Sequence, residues 1–225
     1  MKSPDHLVLV VDDDHRVREA LQSLLDASDL RSVVFGSAAE YIAYPRPNVP
    51  ACLILDVGLP DINGLDLQQQ MGNEYHPPPI IFITGQGDIP SSVRAIKAGA
   101  LDFLTKPYSP EELLKLVHAA LAQDQERRAQ RADLDRLQRR LQSLTPREHE
   151  VLPLVVSGLL NKQAAAHLGI SEITFQIHRT NVMRKMEADS LADLVRMAGS
   201  LEIPIGPGRH MQGAPADRER RPTVL

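Results

Sequence analysis

Residues 53–60 read LILDVGLP, an apolar run that delivers one carboxylate and then breaks at glycine and proline. The three apolar residues behind Cys52 predict a strand buried on both faces, because strands of a covered parallel sheet are apolar on both sides. Asp56 is therefore expected at the carboxyl end of a strand, where open parallel sheets bind ligands. Taken alone, the pattern also fits an ordinary turn aspartate. The residues at the ends of the neighbouring strands decide between a turn residue and a ligand-binding residue.

Composition limits the class of protein. The 225 residues suffice for one or two domains, and 43% of them are hydrophobic, which is enough for real cores. No apolar run approaches the roughly 18 residues of a membrane span, and the first strand follows too closely on the amino terminus to leave room for a signal peptide. Cys52 lies in an apolar run, which predicts a buried free thiol in a reducing compartment, so we expect a soluble cytoplasmic protein with no membrane partner. The net charge of −4 means that any DNA contact must come from a local basic patch.

Strand and helix patterns alternate five times in the first half of the chain. Short apolar runs predict strands at 7–11, 32–35, 53–55, 80–83 and 101–105, and each is followed by helical spacing of apolar residues. This alternation is typical of a doubly wound α/β domain with a parallel sheet. We expect the flavodoxin-like fold, with five parallel strands in the order 2-1-3-4-5.

Related polar side chains stand at the ends of four of these strands. Asp12 and Asp13 follow the first, Asp56 follows the third, Thr84 ends the fourth and Lys106 follows the fifth. Strands one and three are neighbours in the predicted order, so their carboxylates would repel one another unless a cation joins them. Carboxylates, a backbone carbonyl and waters suit Mg²⁺, while a hydroxyl and an ammonium suit the oxygens of a phosphoryl group. The pattern predicts a phosphoryl-transfer site.

Together with Gly85 and Pro107, these residues resemble the signature of the response-regulator receiver domain over roughly residues 7–121. The resemblance implies that Asp56 accepts a phosphoryl group from the phosphohistidine of a sensor histidine kinase. It assigns Lys106 and Thr84 to the same reaction and implies a cis Lys106–Pro107 peptide bond.

The resemblance also implies a bound Mg²⁺ and a conformational switch. Its metal ligands would be Asp12, Asp13, Asp56 and the backbone carbonyl of Gly58. Its switch residues would be Thr84 and Phe103, although Phe103 fits an ordinary core phenylalanine equally well. Catalysis would be limited to the phosphorylation and dephosphorylation of the protein itself, so we do not expect an enzyme acting on an external substrate.

The middle of the chain predicts one long charged helix. No glycine or proline interrupts 123–142, and Leu134, Leu137, Leu141 and Leu144 form a short a/d seam. The seam fits packing within the chain or a short coiled coil between subunits, and the arginines fit a solvated face or a DNA contact.

The second half predicts a small helical domain. A capping box begins at Thr145, and a cap at Ser171 opens a helix that runs to about 186. Two short helices joined by a turn at 168–171 indicate a helix-turn-helix, whose second helix enters the major groove of DNA. We therefore expect a receiver over 1–122, a helical linker over 123–142, a four-helix DNA-binding domain over 143–203 and a disordered tail over 204–225.

This half resembles the LuxR-type DNA-binding domain, and a receiver followed by that module is the NarL/FixJ architecture. The residues that carry the resemblance are Leu144, Thr145, Arg147, Glu148, Glu150, Val151, Leu152, Gly158, Asn161, Lys162, Ala165, Leu168, Gly169, Ile170, Ser171, Thr174, His178, Arg184 and Lys185. The stretch Thr84–Pro90 favours the FixJ side of the group.

The resemblance places DNA contacts on the second helix of the motif. The residues facing bases would be Gln176, Ile177 and Thr180. Those nearer phosphates would be Thr174, His178, Arg179, Arg184 and Lys185 on this helix, with Lys162 on the preceding helix. A glutamine can bond adenine N6 and N7, and an isoleucine can meet a thymine methyl.

Three residues depart from the family pattern: Pro153 inside a helix, Ala164 where a larger aliphatic residue is usual, and Gln176 after Phe175 in place of a Val-Lys pair. They concern DNA affinity and target sequence, not the fold.

The expected function is phosphorylation-dependent transcriptional regulation in a two-component system. Phosphorylation at Asp56 would favour a homodimer whose recognition helices bind promoter DNA, with RNA polymerase as a further candidate partner. A phosphate sink with a weak DNA module and a constitutive DNA binder are the alternatives. The promoter, the kinase, its stimulus, the oligomeric state before phosphorylation and the sign of regulation lie beyond the sequence.

Overall fold

The computed structural model describes residues 6–72, 77–85 and 89–204, without the side chains of 89–91. The chain divides into two compact units, Met1–Gln130 and Arg131–Leu225. The residues at 86–88 of the predicted FixJ-like stretch, and the predicted tail beyond Pro204, lie outside the described residues.

The first unit contains a five-stranded parallel sheet in the order β2-β1-β3-β4-β5, which confirms the predicted topology. Its strands are β1 (Leu7–Val11), β2 (Ser32–Phe35), β3 (Ala51–Asp56), β4 (Ile80–Thr84) and β5 (Asp102–Thr105). Its helices are α1 (His15–Ala27), α2 (Ala38–Ala43), α3 (Gly64–Met71), α4 (Ile89–Lys97) and α5 (Pro110–Gln142). β3 begins two residues earlier than predicted and β5 one residue later.

The sheet is covered on both faces. Leu9, Leu53 and Phe82 belong to one core cluster, whereas Val10 and Ile54 belong to the cluster on the opposite face. Every residue of β1, β3 and β4 is buried, which explains why these strands are apolar in the sequence up to the final residues of β3 and β4, Asp56 and Thr84. The parallel register pairs Val11 with Leu55 and Thr84 with Thr105, so the polar strand ends meet at one edge.

Helix α5 is continuous for 33 residues, as the absence of glycine and proline predicts. In the first unit Asp124 attaches this helix to the start of β3. Its buried carboxylate accepts hydrogen bonds from the Ala51 N–H (2.8 Å) and from Arg128 Nε (2.7 Å), and Arg128 Nη1 donates to Asn48 Oδ1 (2.6 Å). The amino end of β3 is therefore held by a charged group that lies 73 residues later in the chain.

The second unit contains the end of α5 and four further described helices. They are α6 (Pro146–Val156), α7 (Asn161–Leu168), α8 (Glu172–Met186) and α9 (Leu191–Ser200). Thr145 and Glu148 form the predicted capping box, Gly169 ends α7 in the left-handed conformation (φ 65°), and Ser171 caps α8.

The departures at Pro153 and Ala164 lie inside this unit. Helix α6 continues through Pro153 to Val156, and the Ser157 hydroxyl donates to the Pro153 carbonyl (2.6 Å). Ala164 is completely buried beside residues such as Phe175 in the core. None of the helices in the described part of the chain is long and apolar enough to cross a membrane.

Candidate functional sites

The carboxyl edge of the sheet brings two carboxylates and one ammonium together. Lys106 Nζ lies 2.8 Å from Asp12 Oδ2 and 2.9 Å from Asp56 Oδ1. Asp12 is completely buried and Asp56 is 7% exposed. Carboxylates at the ends of the neighbouring strands β1 and β3 repel each other unless a cation lies between them. Lys106 supplies that cation.

Backbone N–H groups hold the remaining oxygens of this pair. Asp12 Oδ1 accepts from the Asp14 N–H (2.9 Å), and Asp56 Oδ2 accepts from the Gly58 N–H (2.5 Å). Asp14 in turn caps α1 by accepting from the Arg16 N–H (2.8 Å), the bond that an aspartate at an N-cap makes. Both carboxylates are therefore held at both of their oxygens, which fixes their orientation.

Burial and charge act in opposite directions on these groups. Burial raises the pKa of Asp12 above its ordinary value of 3.8, although the hydrogen bonds from Lys106 and from the Asp14 N–H lower it. Burial disfavours the Lys106 ammonium, but its hydrogen bonds and charge interactions with Asp12 and Asp56 outweigh burial and raise its pKa. The two carboxylates are oxygen ligands of the kind that Mg²⁺ accepts, so the chemistry of this donor set fits the predicted metal.

The other predicted members of this site are placed less closely. Asp13 is exposed, and among the described residues no three His, Cys, Asp or Glu side chains converge as a metal-binding group. Thr84 is buried at the end of β4. Phe103 is half-buried on β5, with its ring 6.2 Å from that of Phe82. The ligand set for Mg²⁺ and the switch roles of Thr84 and Phe103 stay predictions.

Two residues beside the site had no distinct signal in the sequence. Gly64, the first residue of α3, packs so closely that an added Cβ would lie 2.5 Å from the Asp56 backbone oxygen. Asp61 accepts from the Ala39 N–H (3.1 Å) at the start of α2, and such backbone hydrogen bonds, outweighing the opposing effect of burial, lower its pKa. Both residues hold the loop that follows Asp56 against the rest of the unit.

In the second unit, α8 has the two faces expected of a recognition helix. Phe175, Val182 and Met186 point into the core. The predicted base-facing residues Gln176, Ile177 and Thr180 are all exposed. Such an exposed surface on the second helix of the motif suits insertion into a DNA groove.

The other predicted phosphate contacts lie on α8, except for Lys162, which lies on α7. Lys162 and Arg184 are exposed, whereas Thr174, His178 and Arg179 are half-buried. Ile173 is 76% exposed on the same helix, and sequence reasoning did not single it out.

One predicted phosphate contact is engaged within the protein. Lys185 Nζ donates to the buried Glu148 carboxylate (2.7 Å) and to the Ser143 carbonyl (3.1 Å). Burial opposes ionisation of Glu148, but the hydrogen bonds from Lys185 and Thr145 lower its pKa. Arg140 similarly donates to the Met186 carbonyl and the Glu187 carboxylate at the end of α8. A phosphate contact by Lys185 stays a prediction and would compete with Glu148.

Fold and site together define a class of protein: a parallel α/β unit with a lysine-bridged carboxylate pair at its strand ends, followed by a helix-turn-helix unit. The model of the response regulator receiver domain matches residues 8–118, and that of the bacterial regulatory proteins of the luxR family matches residues 142–198. The chain belongs to the response regulators that join these two domains, which are DNA-binding transcriptional regulators of two-component systems.

Relatives of known name and structure span nearly the whole chain. Nodulation protein W of Bradyrhizobium diazoefficiens is 48% identical, with 88% of this chain and 87% of the relative covered. Transcriptional regulatory protein FixJ of Rhizobium meliloti is 38% identical, covering 86% and 95%. The solved structure of response regulator StyR is 42% identical, with a TM-score of 0.79 and coverage of 87% and 98%.

Proposed function

We propose that this chain is a cytoplasmic transcriptional regulator that is switched by phosphorylation of Asp56. The observation that supports the acceptor assignment best is the Lys106 bridge, which holds two buried carboxylates at neighbouring strand ends. Sequence patterning and this geometry agree on one location for the chemistry. The proposed divisions are a receiver over 1–122, a linker over 123–142 and a DNA-binding domain over 143–203.

The proposed reaction moves a phosphoryl group from a histidine kinase to Asp56. A carboxylate oxygen of Asp56 attacks phosphorus, the P–N bond to the kinase histidine breaks, and an acyl phosphate forms on Asp56. Lys106 stabilises negative charge on the phosphoryl oxygens, and the Thr84 hydroxyl bonds one of these oxygens. Asp12, Asp13, Asp56 and the Gly58 carbonyl would hold Mg²⁺, which when bound offsets the charge of the transferring group.

Phosphorylation adds charge and acceptor oxygens at the carboxyl edge of the sheet. We infer that Thr84 and Phe103 respond to this change and that the surface around the fourth and fifth strands and helices (β4, α4, β5 and α5) then forms a homodimer. Val93 and Ile96 leave apolar surface exposed on α4, 44% and 46% respectively, which supports this location. Two recognition helices would bind promoter half-sites about one helical turn apart.

The DNA contacts proposed for α8, and for Lys162 on the preceding helix α7, fall into two groups. Gln176, Ile177 and Thr180 would face base edges. Lys162, Thr174, His178, Arg179, Arg184 and Lys185 would position the protein on phosphates. RNA polymerase is a further proposed partner at the promoter.

DNA binding by the full-length protein, with and without a small phosphodonor and Mg²⁺, tests the proposal. We expect the phosphodonor to raise affinity for wild type and for Asp66→Asn, a matched change on the exposed face of α3. Asp56→Asn should show no increase, because an amide cannot form the acyl phosphate. Equal binding under all conditions would instead indicate a constitutive DNA binder, whereas phosphorylation without specific binding would indicate a phosphate sink.

A further inference from the structure

Three polar side chains form a hydrogen-bonded chain on the surface of the helix-turn-helix. Arg179 Nη1 on α8 donates to Asn161 Oδ1, 2.8 Å away at the start of α7. Asn161 Nδ2 donates to Gln176 Oε1 on α8. Asn161 thus connects two residues of the recognition helix that lie almost one turn apart.

The direction of this chain follows from its arginine end. A guanidinium has donors and no acceptor, so the Asn161 atom that faces Arg179 must be the carbonyl oxygen. The other end of the same amide, Nδ2, is then the end that faces Gln176. Because Nδ2 donates, the Gln176 atom beside it must be the acceptor Oε1. Amide orientations that are ambiguous in isolation are therefore determined by their neighbours.

The consequence is that Gln176 presents a donor to solvent. In the described part of the chain its Nε2 makes no hydrogen bond, and the residue is exposed. A glutamine that bonds both N6 and N7 of adenine must present Oε1 as well as Nε2 to the base, and here Oε1 is turned toward Asn161, whose Nδ2 occupies one of its two lone pairs. Guanine O6 and N7, and thymine O4, accept the hydrogen bonds that Nε2 offers. Adenine N7 is also an acceptor, but the neighbouring N6 of adenine is a donor and would face the donor end of Gln176.

We infer that Asn161 is a specificity-determining residue that orients Gln176 as a hydrogen-bond donor toward guanine or thymine. This inference rests on the proposed contact between Gln176 and a base edge. Asn161 itself acts through Gln176. A purely structural role for Asn161, as a bond between α7 and α8, predicts no change in base preference when its chemistry is altered.

Substitution of Asn161 by aspartate gives a directional test. The carboxylate still accepts from Arg179 but no longer donates, so Gln176 must turn its Nε2 inward to hydrogen-bond it. Gln176 Oε1 then faces DNA and accepts from adenine N6 or cytosine N4. Asn161→Ala removes both bonds and leaves Gln176 free to present either end.

The experiment selects binding sequences from a random double-stranded DNA pool with the full-length, phosphodonor-treated protein. Wild type should prefer guanine or thymine at one position per half-site, and Gln176→Ala should lose that preference. Asn161→Asp should shift that position to adenine or cytosine, by about tenfold in relative affinity, and Asn161→Ala should flatten it. His167→Ala, an exposed change on α7, should select the wild-type sequence.

The possible failures are distinguishable. Should Gln176→Ala select the same sequence as wild type, the proposed base contact is wrong and the inference falls with it. If Gln176→Ala changes one position while both Asn161 variants keep the wild-type preference there, the base contact stands and the inference is wrong. A wild-type preference for adenine or cytosine at the Gln176 position would also overturn it. Far-UV circular dichroism shows whether each variant is folded, and Asn161→Ala keeps the test decisive if Asn161→Asp does not fold.

Discussion

Replacement of Glu148 by glutamine removes one negative charge from the core of the second unit while keeping the size of the side chain. Glu148 Oε2 accepts from the Thr145 N–H (2.8 Å) and from Lys185 Nζ (2.7 Å), and its side chain is only 4% exposed. A glutamine oxygen can accept the same two hydrogen bonds, but hydrogen bonds to a neutral amide are weaker than hydrogen bonds to a carboxylate. Because charged hydrogen bonds contribute about 1.5–3 kcal/mol and neutral ones about 1, we expect a loss of roughly 1–2 kcal/mol.

The stabilisation by Glu148 depends on pH in a direction that its pKa determines. The folded pKa of Glu148 is lower than its ordinary value of 4.5, so the folded state binds this proton less tightly than the unfolded state. The stabilisation is therefore complete above the unfolded pKa and is lost as the pH falls through the folded pKa. The difference between wild type and Glu148→Gln should be largest near neutral pH and shrink below about pH 4.5.

Hydrogen exchange of peptides from α6 and α8 measures the free energy of unfolding of this unit separately from the other. For a domain of this length, each kcal/mol of lost stability lowers the Tm by roughly 4–8 °C. Glu150→Gln is the matched control, because Glu150 is 50% exposed and pairs with a similarly exposed Arg147 on the same helix. Its effect should stay below about 0.5 kcal/mol. Equal effects of the two substitutions, or a Glu148→Gln deficit that does not shrink as the pH falls below about 4.5, would refute the reasoning.

Three further predictions concern packing and anchoring. Gly64→Ala should destabilise the first unit by about 1–3 kcal/mol in urea titrations, because its Cβ would meet a backbone oxygen at 2.5 Å. Gly199→Ala, where an added Cβ meets nothing within 4 Å, should instead stabilise by about 0.5–1 kcal/mol, and a similar result at both glycines would contradict the packing argument. Asp124→Ala should cost about 1–3 kcal/mol and speed exchange of the Ala51 amide, and unchanged exchange there would show that the bond contributes little. Burial, together with the charge of Asp124, raises the pKa of the fully buried Cys52 thiol to about 12, so a disulfide reagent should label it only after unfolding.

Most of the fold could be predicted from local patterns in the sequence. Apolar runs located the strands because both faces of the sheet are covered, and the predicted caps at Thr145 and Ser171 lie where helices begin. The carboxylate pair was predictable because parallel strands bring their carboxyl ends to one edge.

Pairings between distant residues were not predictable in the same way. Nothing near Lys185 in sequence indicates that its ammonium binds Glu148, 37 residues earlier. The direction of the Asn161 amide likewise depends on Arg179, a donor on another helix. The close approach of Gly64 to the backbone of β3 also appears only once the loop is folded.

Strand β3 can be considered mechanically as a short beam with supports at its two ends. At one end Asp124 holds the Ala51 amide, and at the other Lys106 and the Gly58 N–H hold the Asp56 side chain. Neighbouring strands confine it on both sides and buried side chains confine it above and below. A force that acts on Asp56 therefore meets a rigid strand. We expect displacement first in the exposed loop segment at Gly58.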